Sequence, residues 1–171
     1  YNVVQALTAA GFEVSVFTYP HHQQAWTYEF VALGPGPGHP REYQDILPFL
    51  KDRLLSKRKT FGLCLGHQLI WSALGFEVSR SSLPLHGQKV RFKLDDDWQN
   101  YLNLGEIITV QRYNSLIVQV SQKSVPDRIT AFFSQDELQM SRGDSWLSYQ
   151  FHPESVGTSC QQVFFSVLRQ V

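Results

Sequence analysis

The sequence predicts an α/β fold: a three-layer, open, mostly parallel sheet with an antiparallel excursion in its second half. Three observations predict it. Segments with helical apolar spacing alternate with short, continuously apolar runs up to about Gly75, as in sheets covered by helices on both faces. Glycine and proline break the chain where those runs end. From Phe76 to Phe151 the pattern changes to short runs with period-two alternation, and helical spacing returns over 159–171.

Each element follows from its residues. Val3, Val4, Leu7 and Ala10 share one helical face, and Gly11 is placed to end that helix. Phe12, Val14 and Val16 alternate with Glu13 and Ser15, which predicts a strand, and Phe30-Val-Ala-Leu33 predicts a buried one. The polar, aromatic stretch 19–28 between them reads as loop or short helix. Gly34-Pro-Gly-Pro-Gly-His-Pro40 must be a loop at a strand end, since three prolines lack donors and three glycines permit unusual φ. The spacing predicts an amphipathic helix over 42–56, with Pro48 best suited to a first turn. A buried strand follows over 60–63, then a helix over 66–74 ended by Gly75. Strands are expected over 89–94, 107–110, 116–120 and 146–151.

The 171 residues suit one domain, at roughly 100–200 residues per domain, with length for a substantial core. Lys plus Arg balances Asp plus Glu at 15 each. Without a basic field to gather phosphates or anionic lipid, nucleic acid and membrane surfaces are not expected partners. No apolar run approaches the roughly 20 residues of a membrane span, and no signal-peptide pattern is present. Two cysteines, Cys64 and Cys160, are no disulfide framework, which fits a reducing, cytoplasmic setting.

The stretch FGLCLGHQL, residues 61–69, carries the first chemistry. Gly62-Leu-Cys-Leu-Gly66 is the thiol form of the GxSxG elbow, in which a sharp strand-to-helix turn lifts a nucleophile clear of the backbone. Alone, Cys64 reads equally as buried packing, because free cysteine is among the most buried residue types. A thiol nucleophile needs a base and the base an orienting group, and Gln150-Phe-His-Pro-Glu-Ser155 offers His152 and Glu154 just past a strand. Strand ends of a parallel sheet gather on one edge, where Cys64 also belongs. An acyl-transfer site further needs donors for an oxyanion. The Leu65 amide offers one, and the Gly36-Pro37-Gly38 loop can supply a second and lie close to a ligand. A zinc site from Cys64, His67, His152 and Glu154 is the competing chemistry, but zinc does not require a glycine-framed elbow. No metal is therefore expected, and His67 is read as structural.

These residues resemble the class I, triad-type glutamine amidotransferases, and among them the glutaminase subunits (component II) of anthranilate synthase and aminodeoxychorismate synthase. Four blocks match in order: Gly34-Pro-Gly-Pro-Gly38, Gly62-Leu-Cys-Leu-Gly-His-Gln68, Arg112-Tyr-Asn-Ser-Leu116 and Gln150-Phe-His-Pro-Glu-Ser155. The Arg112 block and His86-Gly87 point to the chorismate-linked branch. The resemblance implies a flavodoxin-like amidotransferase domain spanning 1–171. It implies a Cys64, His152 and Glu154 triad, and glutamine contacts from Gly36, Leu65, Gln68, Ser115 and Leu116, with the rest of the Gly36-Pro37-Gly38 loop. Gly36 and Leu65 would also contribute the oxyanion amides. The family opens with a strand and a turn before its Tyr-Asn, where this sequence begins, so that strand is expected to be missing. Asn114 stands where the family more often has histidine, and the segment 18–29 is short.

The implied activity is hydrolysis of L-glutamine to glutamate, with ammonia delivered to a separate chorismate-binding synthase subunit, component I, in a hetero-oligomer. The product would belong to anthranilate and tryptophan synthesis or to aminodeoxychorismate and folate synthesis. The resemblance implies no cofactor in this chain; Mg2+ would sit on the synthase partner. Two other readings stand beside it: a free-standing γ-glutamyl hydrolase or cysteine peptidase-like enzyme, and a non-catalytic regulatory subunit of a synthase.

Overall fold

The computed structural model describes residues 2–171. Helix α1 (Asn2–Ala9) ends as its spacing predicts. Gly11 takes φ +87°, and the Gly11 and Phe12 amides return to the Thr8 and Leu7 carbonyls at 2.9 and 3.1 Å.

The expected strand at Phe12, Val14 and Val16 does not form. Phe12 and Val14 are half-buried while Glu13 and Ser15 are exposed, but Val16 is 64% exposed, so the alternation holds only over its first half; Phe12 stacks on Phe30 with ring centres 5.0 Å apart. What is lacking is a ladder. The nearest strand, β1 (Val31–Leu33), ends the sheet, and a cavity of about 760 Å3 lined by Leu7, Phe12, Val14, Phe30 and Val31 lies along it. Alternation records which side chains face inward; a strand also needs paired backbone groups.

The helix expected over 42–56 is divided. A single 3-10 turn, Pro40–Tyr43, is capped by the His39 imidazole, which accepts from the Arg41 amide at 3.1 Å. Helix α2 (Leu47–Leu55) begins later, with Pro48 in its first turn, where a missing N–H costs nothing. Its Arg53 is buried without a carboxylate and donates instead to the carbonyls of Tyr28, Glu29 and Lys59 at 3.0, 2.8 and 2.7 Å. Burial, with the nearby Arg58 charge, lowers its pKa to about 10. That one guanidinium ties α2 to the residues leading into β1 and into β2 (Thr60–Leu63).

Helix α3 (Leu65–Ala73) follows β2 directly, then β3 (Val78–Arg80), β4 (Gln88–Lys93), α4 (Asp96–Leu102), β5 (Ile107–Arg112) and β6 (Leu116–Val118). Strands β7 (Thr130–Ser134), β8 (Glu137–Arg142) and β9 (Trp146–Tyr149) precede α5 (Gln161–Ser166). The main sheet has the order β1-β2-β9-β8-β7. β1, β2 and β9 run parallel, with Gly62 opposite Leu33 and Ser148, and β8 and β7 form the antiparallel excursion. β4 pairs with β5 and β3 with β6, as two separate antiparallel ribbons.

Two apolar layers sandwich the sheet. Phe61 and Leu63 of β2 pack with Phe92, Trp98, Phe151 and Phe164, while Leu50, Leu69, Ile70 and Trp71 fill the other face. Helix α4 was not expected, although Trp98, Tyr101 and Leu102 have helical spacing; its start is marked by the acidic run 95–97, where the Asp95 carboxylate caps the Trp98 amide at 2.9 Å. No described helix is long and apolar enough to cross a membrane.

Candidate active site

Cys64 stands between β2 and α3 with φ +53° and ψ −101°, a conformation rarely open to a residue with a side chain. Close packing forces the turn. A Cβ on Gly62 would lie 2.6 Å from the Gly66 carbonyl oxygen. One on Gly66 would lie 2.7 Å from the Leu33 carbonyl carbon and nearer still to its oxygen. With both absent, α3 starts hard against β1 and β2, and the Cys64 amide donates to the Tyr149 carbonyl at 2.8 Å.

His152 arrives on the same edge. The chain leaves β9 at Tyr149, and the His152 amide donates to Gln111 O at 2.9 Å while its carbonyl accepts from the Thr158 hydroxyl at 2.7 Å. The imidazole Nδ1 lies 2.7 Å from a Glu154 carboxylate oxygen, the two side chains being 12% and 7% exposed. Pairing at Nδ1 leaves Nε2 free of any partner. Burial lowers the proton affinity of this ring, but Cys64 and then Glu154 raise it through hydrogen bonding and charge, and the balance stands at about 9. Cys64 is thus near enough to this ring to favour its protonated form. The half-exposed Tyr113 ring meets the imidazole edge to face at 4.9 Å.

The structure brings several other expected residues to this edge. Gly36 packs on the Leu65 side chain, which a Cβ at Gly36 would approach to 2.9 Å. Pro37 O accepts from the Tyr43 hydroxyl at 2.9 Å, and Gly38, with φ +82°, turns the chain beside Glu42. Gln68 is buried and donates to Leu116 O at 3.2 Å. Ser115 is exposed, and its carbonyl accepts from the Ser81 amide at 2.9 Å. His67 lies apart, fully buried, with Nδ1 2.8 Å from the Ser148 hydroxyl, and burial drives its pKa down to about 3, so it is neutral. Among the described residues no three of His, Cys, Asp or Glu converge as a metal site.

Comparison with known proteins gives the family. Residues 1–171 match the family described as glutamine amidotransferase class-I. The anthranilate synthase component 2 of Vibrio parahaemolyticus is 35% identical over an alignment covering 93% of this chain and 83% of that protein. The component 2 of Saccharolobus solfataricus is 32% identical, covering 82% and 75%. The chain belongs to the class-I glutamine amidotransferase family. Its fold is also that of a crystallised glutamine amidotransferase from Methylobacillus flagellatus, with a TM-score of 0.72 at 18% identity over 90% of this chain and 65% of that one.

For a class-I amidotransferase, three features of this edge were not assigned roles from sequence. Gln150 lies directly after β9, is fully buried, and its Nε2 stands 3.8 Å from Cys64 Sγ. Arg112 and Glu137 form a buried ion pair, with Ser81 donating to the same carboxylate. Tyr113 covers the histidine. Gln150, Arg112 and Tyr113 all lie within the matching motif blocks, so their positions were visible; the contacts were not, because they join segments up to 86 residues apart.

Proposed function

We propose that this chain is a glutaminase whose triad is Cys64, His152 and Glu154, and that it supplies ammonia to a chorismate-binding synthase subunit. The observation that carries the reading is Cys64 at its left-handed elbow, on the same sheet edge as an imidazole whose other nitrogen is held by Glu154.

The chemistry follows from that arrangement. His152 Nε2 takes the thiol proton, and the sulfur attacks the δ-carbon of the glutamine carboxamide. The carbonyl oxygen becomes an oxyanion, stabilised by the Leu65 amide at the start of α3 and by the Gly36 amide across from it. Collapse breaks the C–N bond as the imidazolium returns its proton to the leaving nitrogen, releasing ammonia and leaving a γ-glutamyl thioester. Water, deprotonated by His152, then attacks the thioester and frees glutamate and the thiol. Glu154 keeps the ring oriented with Nε2 toward the sulfur throughout.

The names of the relatives favour anthranilate synthesis, and hence tryptophan, as the destination. An aminodeoxychorismate synthase would use the same ammonia. Combining this chain with each synthase subunit, chorismate, Mg2+ and glutamine, and identifying the aromatic amine formed, separates the two. Cys64→Ala should abolish glutamine hydrolysis while leaving the fold intact; ammonia release at the parental rate would refute the nucleophile.

A further inference from the structure

A chain of hydrogen bonds runs from the buried Arg112–Glu137 pair to the sulfur of Cys64, and its direction can be worked out. A carboxamide presents either its oxygen or its NH2 to a neighbour, and the choice at each amide depends on the next. The chain begins with a group that only donates: the Arg112 guanidinium, pinned by Glu137, gives Nε–H to Asn114 Oδ1 at 3.1 Å. Asn114 must then turn its NH2 to the Leu116 carbonyl, which it reaches at 3.1 Å.

That carbonyl only accepts, so Gln68, 3.2 Å away, also presents its NH2. The same NH2 lies 3.1 Å from Gln150, whose oxygen must therefore face it. The Gln150 NH2 is left pointing at Cys64 Sγ, 3.8 Å away. Asn114, Gln68 and Gln150 are all buried, so no solvent competes to flip them.

We propose that Gln150 is a positioning residue of the nucleophile, held by the Leu116 carbonyl through Gln68 so that its amide NH2, and never its carbonyl, faces the sulfur, while Arg112 and Asn114 fix the place of that carbonyl. A donor there favours thiolate over thiol and restrains the sulfur, complementing the imidazolium. The relay also joins the nucleophile to the Leu116 backbone, so the two ends of the expected glutamine site are set together. This assignment rests on Cys64 being the nucleophile.

The test is alkylation of Cys64 by the neutral reagent iodoacetamide, followed against pH in the full chain carrying Cys160→Ser, which leaves one thiol. Gln150→Met keeps the length of the side chain without its donor and should displace the alkylation profile upward by about one pH unit, the expected size for one hydrogen bond to a charged group. Gln150→Glu puts an acceptor in its place and should displace it further. Gln68→Met, which releases the Gln150 amide to rotate, should move the profile the same way by less, and it carries the test if the Gln150 variants do not fold. Profiles superimposable on the parent's would overturn the proposal while leaving the glutaminase reading in place. A parent whose Cys64 alkylates only as an ordinary thiol, with no glutamine turnover, would overturn both.

Discussion

Replacing Gly66 by alanine sets two effects of opposite sign against each other. Gly66 lies in the first turn of α3, where alanine is the better helix former by about 1 kcal/mol, so helix propensity alone predicts a gain. The tertiary structure predicts a loss. A Cβ at Gly66 would sit 2.7 Å from both the carbonyl carbon and the Cβ of Leu33 and closer to the carbonyl oxygen. Carbon atoms pack comfortably at about 3.5–4.0 Å, so α3 and β1 must part by about 1 Å. These are backbone atoms of a sheet strand, which cannot swing aside, and overpacking of this kind costs about 1–3 kcal/mol or more. The clash therefore wins. At about 2–4 °C per kcal/mol for a chain of this size, the melting temperature should fall by roughly 5 °C. Because Leu33 leads into Gly34 and Gly36, the same displacement separates the Gly36 and Leu65 amides, and glutaminase activity should fall more steeply than stability does. Thermal unfolding and ammonia release measured on the same preparation check both. Melting at or above the parental temperature with parental turnover would show that the close approach of α3 to β1 does not shape this site.

Removing either partner of the Arg112–Glu137 pair leaves a buried charge alone, so Arg112→Met or Glu137→Met should each cost about 3–5 kcal/mol in denaturant unfolding, and the double variant should recover much of it. His67 binds its proton only near pH 3 when folded but near its ordinary 6.5 when unfolded, so between those values the unfolded chain holds the extra proton and stability falls as pH falls. His67→Gln should lose this dependence, so that a slope of up to about 1.4 kcal/mol per pH unit appears in the difference between parent and variant over that interval. His152 has the opposite sign: raised to about 9, it contributes stability that is full below its ordinary 6.5 and disappears as pH rises through 9. The stability gap between parent and Glu154→Gln should accordingly narrow across that interval. The same variant should keep partial glutaminase activity where Cys64→Ala has none, because an orienting group contributes less than a nucleophile.

Some features were legible in the sequence because the physics behind them is local. Glycines flanking Cys64 and Gly11 ending a helix are each answers to a backbone requirement within a few residues, whereas the strand before Glu154 ends at Tyr149, four residues ahead of Pro153. The alternation at Phe12, Val14 and Val16 was equally legible, and it reported side-chain burial at the first two positions but not at the exposed Val16; it failed as a strand because pairing depends on what lies alongside. Pro48 marked a helix start that the apolar spacing of 42–56 had extended backwards, since periodicity records which side chains face the core and not where hydrogen bonding begins. His67, three residues from Cys64 in sequence, is buried and bonds instead to the Ser148 hydroxyl.

By itself, then, the sequence determined the kinds of chemistry available: a thiol on an elbow, an imidazole with a carboxylate two residues on, and a loop of glycines to approach a ligand. Those are matters of residue type and short spacing. Only the tertiary structure decided how they are charged and aimed. The proton affinity of His152 depends on Cys64, 88 positions away (152 − 64), and the end of the Gln150 amide that faces the sulfur depends on Gln68 and the Leu116 carbonyl, groups that meet only when β6, β9 and α3 are packed together. Electrostatics and hydrogen-bond direction act through space, in a buried interior where no water intervenes, and no spacing along the chain encodes them.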